Sequence, residues 1–351
     1  MNERWTARAA RGTAGAWRVV AVVALAACVP CAAGCGGAQE PPREPLFADP
    51  PEGSDEAASR GASSTELDRG IAYIKNEKYE EAKQHLARAV AHEPGNAEAA
   101  YYHGLACEKT NDRAGAEASY KKALENDPKL EAASLNLAAL YLDEPPRPDE
   151  AIAVLTKAIE HAPGRPALHQ NLGYAYGLKR DVASASKHYE AAIKAEDTAA
   201  TRFAYGAMLF EAKELDRAAA ELKKALAQTG DDVATIATIG RMLGPAGAYA
   251  DCVAAFDRAI KLKPDAELYV RRGTCRHELK DEQGARADYE AAIKVDPRFA
   301  AAHYYLGLSF LAERRPQSAL RALTEAEKLG GDSEIGKRAR AKVKELNAKF
   351  R

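Results

Sequence analysis

The sequence predicts an all-α fold, an α-solenoid of about eight helix pairs followed by a C-terminal capping helix. Three periodic features predict it. A small residue recurs every 33 to 35 positions as Gly70, Gly104, Ala138, Gly173, Gly206, Gly240, Gly273 and Gly307. Two further small-residue series bracket a larger residue, as in Ala82, Leu86 and Ala89, or Ala185, Tyr189 and Ala192. A proline often closes the unit, at Pro94, Pro128, Pro163, Pro264 and Pro297. Such periods mark stacked supersecondary units, none of which can bury its apolar face alone.

Residues 1–27, or 1–34, read as a signal peptide. Arg4, Arg8, Arg11 and Arg18 precede an apolar run of eleven residues, Val19 to Val29, and small residues follow. That order is the layout of a secretory signal. The run is shorter than the roughly 20 residues a spanning helix needs. Cys28, Cys31 and Cys35 then fall within eight residues. "CVPC" has the spacing of a redox pair, but neither the preceding strand nor the helix start that lowers a thiol pKa is there. No His or Asp follows closely enough to complete a metal site.

Residues 28–62 read as a tether. "GGAQEPPREPLFADPPEGSDEAASRGA", residues 36–62, carries five prolines, many acids and few apolar residues, which cannot build a core. A random coil of that length reaches roughly 30 Å.

Eight units are expected at 63–96, 97–130, 131–165, 166–198, 199–232, 233–265, 266–299 and 300–333. Each holds two helical segments joined by a short polar turn such as "KNEK" or "LKDE". Small residues at the crossing let the helices approach closely. Proline after the second segment stops it and turns the chain. Asp197, Gly230 and Gly331 stand where proline is usual, and the third unit has one extra residue in "DEPPRPDE", departures expected to loosen the turns. Residues 334–351 form the cap, with Ile335, Ala339, Val343, Leu346 and Phe350 at helical spacing. Its other face is rich in Lys and Arg. A solvated face is the expected role, and contact with anionic headgroups or an acidic partner is the alternative.

The chemistry of the chain is sparse. Formal net charge is -1 over 351 residues, so no basic field points to nucleic acid. No H-E-x-x-H, Walker, G-x-G-x-x-G or G-x-S-x-G signature is present. These absences argue against an enzyme, a metal site or a cofactor. Cys107, Cys252 and Cys275 sit at helix positions that packing explains, and Cys252 takes the place of a buried alanine. Cys252 is therefore read as an inert small core residue; a disulfide between adjacent units is possible at most for Cys252 with Cys275, whose C-x22-C spacing is no recognised framework. The eight histidines show no spacing that pairs two ligands.

Two resemblances carry the functional reading. Leu25-Ala26-Ala27-Cys28 resembles the lipobox of bacterial lipoproteins, which implies acylation of Cys28. Ala32-Ala33-Gly34-Cys35 is a looser second match, so Cys35 is the second choice. A plain cleaved secretion signal is the alternative. The small, small, large, small and Pro pattern of 63–333 resembles the tetratricopeptide repeat. "YEEAKQHLARAVAHEPGN" and "ADYEAAIKVDPRFA" are similar to that family's second helix and closing turn.

The family resemblance implies a right-handed superhelix whose first helices line a concave face for peptides or partner proteins. With Gly70 and its equivalents as position eight, the groove positions are Tyr101, Tyr102, Leu105, Leu135, Asn136, Gln170, Asn171, Tyr174, Phe203, Phe210, Arg241, Arg271, His277, Tyr304 and Tyr305. Asn136 and Asn171 share a position in successive units and are expected to project in line. Tyr101 and Leu135 stand where a dicarboxylate clamp needs Lys, so capture of a C-terminal carboxylate in that way is not expected. Together the resemblances imply a non-enzymatic scaffold for a protein or extended peptide, lipid-anchored in the bacterial cell envelope, on the periplasmic face of the outer membrane. A recruiting module for a separate envelope enzyme, and a secreted or periplasmic protein without lipid, are the alternatives.

Overall fold

The computed structural model describes residues 55–349. The signal peptide, Cys28, Cys35 and most of the tether lie outside the described residues. Among the described residues there are seventeen helices and no strand. The first sixteen form eight antiparallel pairs: α1 (Asp55–Lys75) with α2 (Tyr79–His92), α3 (Ala97–Lys109) with α4 (Arg113–Asn126), α5 (Glu131–Leu142) with α6 (Pro148–His161), and α7 (Pro166–Leu178) with α8 (Val182–Ala195). Then come α9 (Ala199–Glu211) with α10 (Leu215–Gln228), α11 (Val233–Leu243) with α12 (Tyr249–Leu262), α13 (Ala266–Glu278) with α14 (Glu282–Val295), and α15 (Ala300–Ala312) with α16 (Pro316–Gly330). α17 (Glu334–Lys349) follows.

One expected boundary changes. The tether reading extends to residue 62, yet α1 begins at Asp55. The physical reason is local. Beyond Pro51 and Gly53 the sequence holds no proline to break a helix before Lys75. Ser63 is buried, and its hydroxyl donates to the Ala89 carbonyl at 3.2 Å.

The turns inside the pairs repeat one device. Glu77, Asn111, Arg180, Lys213, Lys280 and Arg314 adopt φ of 58 to 67°, the left-handed conformation that ends a helix. Asp112 N–H then donates to the Cys107 carbonyl at 2.8 Å, the six-to-one bond of a Schellman end. The same Asp112 caps α4 by accepting the Gly115 N–H at 2.9 Å. One short turn thus stops one helix and starts the next, which forces them antiparallel.

The helix crossings are tight at the periodic small residues. A Cβ at Gly173 would stand 2.8 Å from the Tyr189 ring, and one at Gly273 would stand 2.6 Å from Tyr289. Tyr189 is fully buried, so the ring cannot swing aside. Ala82, Ala116, Ala151, Ala185, Ala218, Ala285 and Ala319 are all fully buried at the second small position.

Packing divides the chain into two compact units, one ending at Glu196 and one beginning at Asp197. In the first, Tyr120, Leu137, Leu155, Leu168 and Leu172 belong to one buried cluster. In the second, Tyr289 and Ala302 belong to one cluster, while Leu323, Ala339 and Leu346 belong to another that holds α17 in place.

The expected loosening at the missing prolines is offset by side-chain bonds. Asp197 receives two bonds from Arg202, at 2.5 and 2.6 Å, and one from Gln228 at 3.1 Å. The turn at Gly230 is held by Arg258, whose guanidinium donates to the carbonyls of Leu226 at 3.1 Å, Thr229 at 2.5 Å and Gly230 at 2.8 Å. Gly331 takes φ 50°, where a side chain would be strained. The longer third turn is tied back by Arg147, which donates to Glu117 at 2.6 Å and lies 4.3 Å from the Tyr141 ring. The Arg147 and Lys121 bonds hold the Glu117 carboxyl at about 2.

Candidate functional site

The first helix of each pair is mostly apolar where it meets its neighbours and carries partly exposed polar or aromatic residues elsewhere. In the first unit the partly exposed set comprises Tyr101, Tyr102, Leu105, Asn136, Gln170 and Tyr174. Tyr101 meets Tyr102 edge-on at 5.1 Å and lies 6.0 Å from Tyr120. Asn136 Nδ2 donates to Tyr120 Oη at 3.3 Å, and that hydroxyl donates to Glu108 at 2.8 Å, so the amide is oriented from below.

Several expected groove residues are packed instead. Leu135, Asn171, Phe203, Phe210 and Tyr304 are buried. Leu135 belongs to a core cluster, although Tyr101 and Gln170 at the same repeat position stay partly exposed. Asn171 is only 7% exposed and donates to the Ala167 carbonyl of its own helix at 3.0 Å. Asn136 and Asn171 therefore do not present equivalent amides. One reaches to Tyr120, and the other is spent on its own backbone.

In the second unit the exposed chemistry is cationic. Arg241 on α11 is exposed and donates to Thr238 Oγ1 at 2.6 Å. Arg271 on α13 is partly exposed and donates to Glu267 at 2.7 Å. Burial and then the Arg271 charge lower the pKa of Arg241, while Glu267 acts the other way. His277 pairs with Glu282 at 2.8 Å, and Tyr305 stacks on Tyr289 with centroids 5.7 Å apart.

The cysteine reading changes as well. Cys252 and Cys275 are joined in a disulfide, rather than Cys252 acting as an inert small core residue. They lie on neighbouring helices α12 and α13, at a Cα separation of 6.3 Å that permits the bond. Cys107 is free and fully buried, and burial pushes its thiol up to about 11.

Two groupings were invisible in the linear sequence. His169 and His188 bring their Nδ1 atoms to 3.1 Å although nineteen residues apart, and His188 stacks on Tyr176. Asp288, 2% exposed, accepts from Arg272 at 2.5 Å and Arg276 at 3.0 Å, and Arg272 also reaches Asp257 at 2.5 Å. Opposite charges on adjacent helices look like ordinary surface residues until the turns set their register. Among the described residues no three His, Cys, Asp or Glu side chains converge as a metal site, and no helix is long and apolar enough to cross a membrane.

Models of the tetratricopeptide repeat match residues 67–131, 109–166, 170–233, 266–299 and 283–334. Human tetratricopeptide repeat protein 13 is 28% identical over 126 residues, which is 36% of this chain and 15% of that protein. The chain thus spans a small part of that relative's length. A tetratricopeptide repeat protein from Parabacteroides merdae aligns with TM-score 0.50 and 16% identity, over 71% of this chain and 99% of the other, a likeness of fold alone.

Proposed function

This chain belongs to the tetratricopeptide repeat family, a fold of protein-interaction scaffolds, and from that premise we propose that it is a non-enzymatic scaffold of the bacterial cell envelope. It is anchored to the membrane through a lipidated Cys28, with Cys35 as the second choice. It holds a protein or extended peptide against its first helices and serves the assembly of an envelope complex. The observation that carries the binding role is the recurrence of exposed or partly exposed Tyr102, Asn136, Tyr174, Arg241 and Arg271 on five of the first helices. Such aromatic, amide and guanidinium groups suit a partner better than bulk solvent alone requires.

The Cys252–Cys275 bond supports the compartment. Disulfides persist in oxidising environments such as the bacterial periplasm and are rare in the cytosol. Leu25-Ala26-Ala27-Cys28 after an apolar run supports the anchor. Cross-linking in cells followed by identification of captured proteins tests the scaffold role. Envelope proteins captured together are the expected result, and capture of cytosolic proteins alone refutes it. Metabolic labelling with a fatty acid tests the anchor. Cys28→Ser abolishes labelling if the site is right, loss in Cys35→Ser alone moves it, and no labelling of the unaltered chain refutes lipidation.

A further inference from the structure

We infer that the second unit takes an acidic, extended peptide segment, with carboxylate side chains held between Arg241 and Arg271 and with the Cys252–Cys275 disulfide fixing the spacing of the two guanidinium groups. This rests on the scaffold reading above and names the chemistry of one part of the partner.

Three observations support it. Arg241 and Arg271 come from the first helices of adjacent pairs, α11 and α13, at positions that leave both side chains accessible. Among the described residues one carboxylate, Glu267, is engaged with the pair, and it is bound to Arg271. Arg241 has a neutral partner, the Thr238 hydroxyl. Two cations against one anion leave a surplus positive charge, which a ligand carboxylate neutralises with paired N–H donors.

The disulfide lies where these helices meet. Cys275 follows Arg271 by one turn of α13, and Gly244 follows Arg241 by about one turn at the end of α11. A side-chain carbon at Gly244 would touch both sulfurs, at 3.5 Å each. The end of α11 therefore rests on the bond that ties α12 to α13. Reduction by a dithiol converts the bond to two thiols, the dithiol becoming the disulfide. The covalent tie between α12 and α13 is then gone. Cys252 and Cys275 act as positioning residues, since neither sulfur faces solvent.

The test titrates the full chain with a fluorescent glutamate-rich peptide and with its glutamine analogue. About tenfold tighter binding of the glutamate peptide is expected. The preference should shrink at high salt and vanish in Arg241→Ala/Arg271→Ala, while Arg321→Ala on α16 leaves it intact. Cys252→Ser/Cys275→Ser should narrow the ratio between the two peptides. An unchanged ratio in that variant overturns the positioning role. Equal binding of both peptides, or binding of neither, overturns the acidic-segment inference. The scaffold reading has its own independent test in the partners captured in cells.

Discussion

Gly104 has no room for a side chain, because the Tyr120 ring stands 2.7 Å from where its Cβ would be. Tyr120 is fully buried and held through its hydroxyl by Glu108. Overpacking such a crossing forces ring or backbone to shift. Gly104→Ala should cost about 1–3 kcal/mol. Gly95 lies in a turn with nothing within 4 Å of its Cβ position, so Gly95→Ala should stay within about 0.5 kcal/mol. Urea melts of the two variants decide it. Equal midpoints would show that this crossing is not tight in solution.

The Gly104–Tyr120 contact was legible in the sequence, because both residues belong to series that repeat with one period. Anything set by that period was readable: the pairs and the small crossings; the last helix was readable from its own apolar spacing. What the period does not carry was lost. The burial of Leu135 and Asn171 depends on how neighbouring helices tilt. The His169–His188 meeting depends on rotamers across two helices. The disulfide needs a Cα separation that a pattern of spacings cannot supply. The start of α1 was missed because Asp55 to Arg60 has tether-like polarity yet contains no helix breaker.

Arg258 should act as a substitute for the missing proline at Gly230. Its guanidinium bonds three carbonyls of that turn, and a charged donor to a carbonyl contributes more than a neutral one. Arg258→Met keeps the apolar stem and removes the donors. A loss of about 1–2 kcal/mol is expected, with faster hydrogen exchange at the end of α10. Unaltered exchange there would mean that the turn holds without the arginine.

Mild acid should weaken the first unit. Burial, then His169 and Lys187, lower the pKa of His188, and burial, then Lys83, lower that of His103 against the pull of Asp112. A histidine with a depressed folded pKa binds fewer protons folded than unfolded. The stability it contributes is present above the ordinary value near 6.5 and falls as pH drops through that value toward the folded one. The Glu117 contribution survives this window, since its carboxyl titrates at about 2 and is lost only below the ordinary carboxylate range. The melting temperature should therefore fall between about pH 7.5 and 5.5. His103→Asn/His188→Asn should flatten the decline. A decline of the same size in that variant would assign the pH dependence to other groups.

The Cys252–Cys275 bond should be the covalent determinant of stability in the second unit. It closes a loop with a sequence separation of 23. Cross-linking a loop of that length removes chain entropy from the unfolded state, which corresponds to about 3 kcal/mol in the chain-entropy model. Both sulfurs are buried, Cys252 at 1% and Cys275 at 6% exposure, so a small thiol should reduce the bond slowly until the unit opens. Cys107 is buried too, with its thiol pushed up to about 11, and should stay unmodified by an alkylating agent in the native state. The measurement is alkylation with mass spectrometry on protein purified without reductant, followed by melts with and without a dithiol. Native protein should show neither Cys252 nor Cys275 alkylated, and both should be labelled after reduction and unfolding. Stability should drop in the dithiol and, to a similar extent, in Cys252→Ala/Cys275→Ala without it. If the two cysteines are alkylated without prior reduction once the chain is unfolded, the bond is absent from the isolated protein. Its support for an oxidising compartment then falls with it.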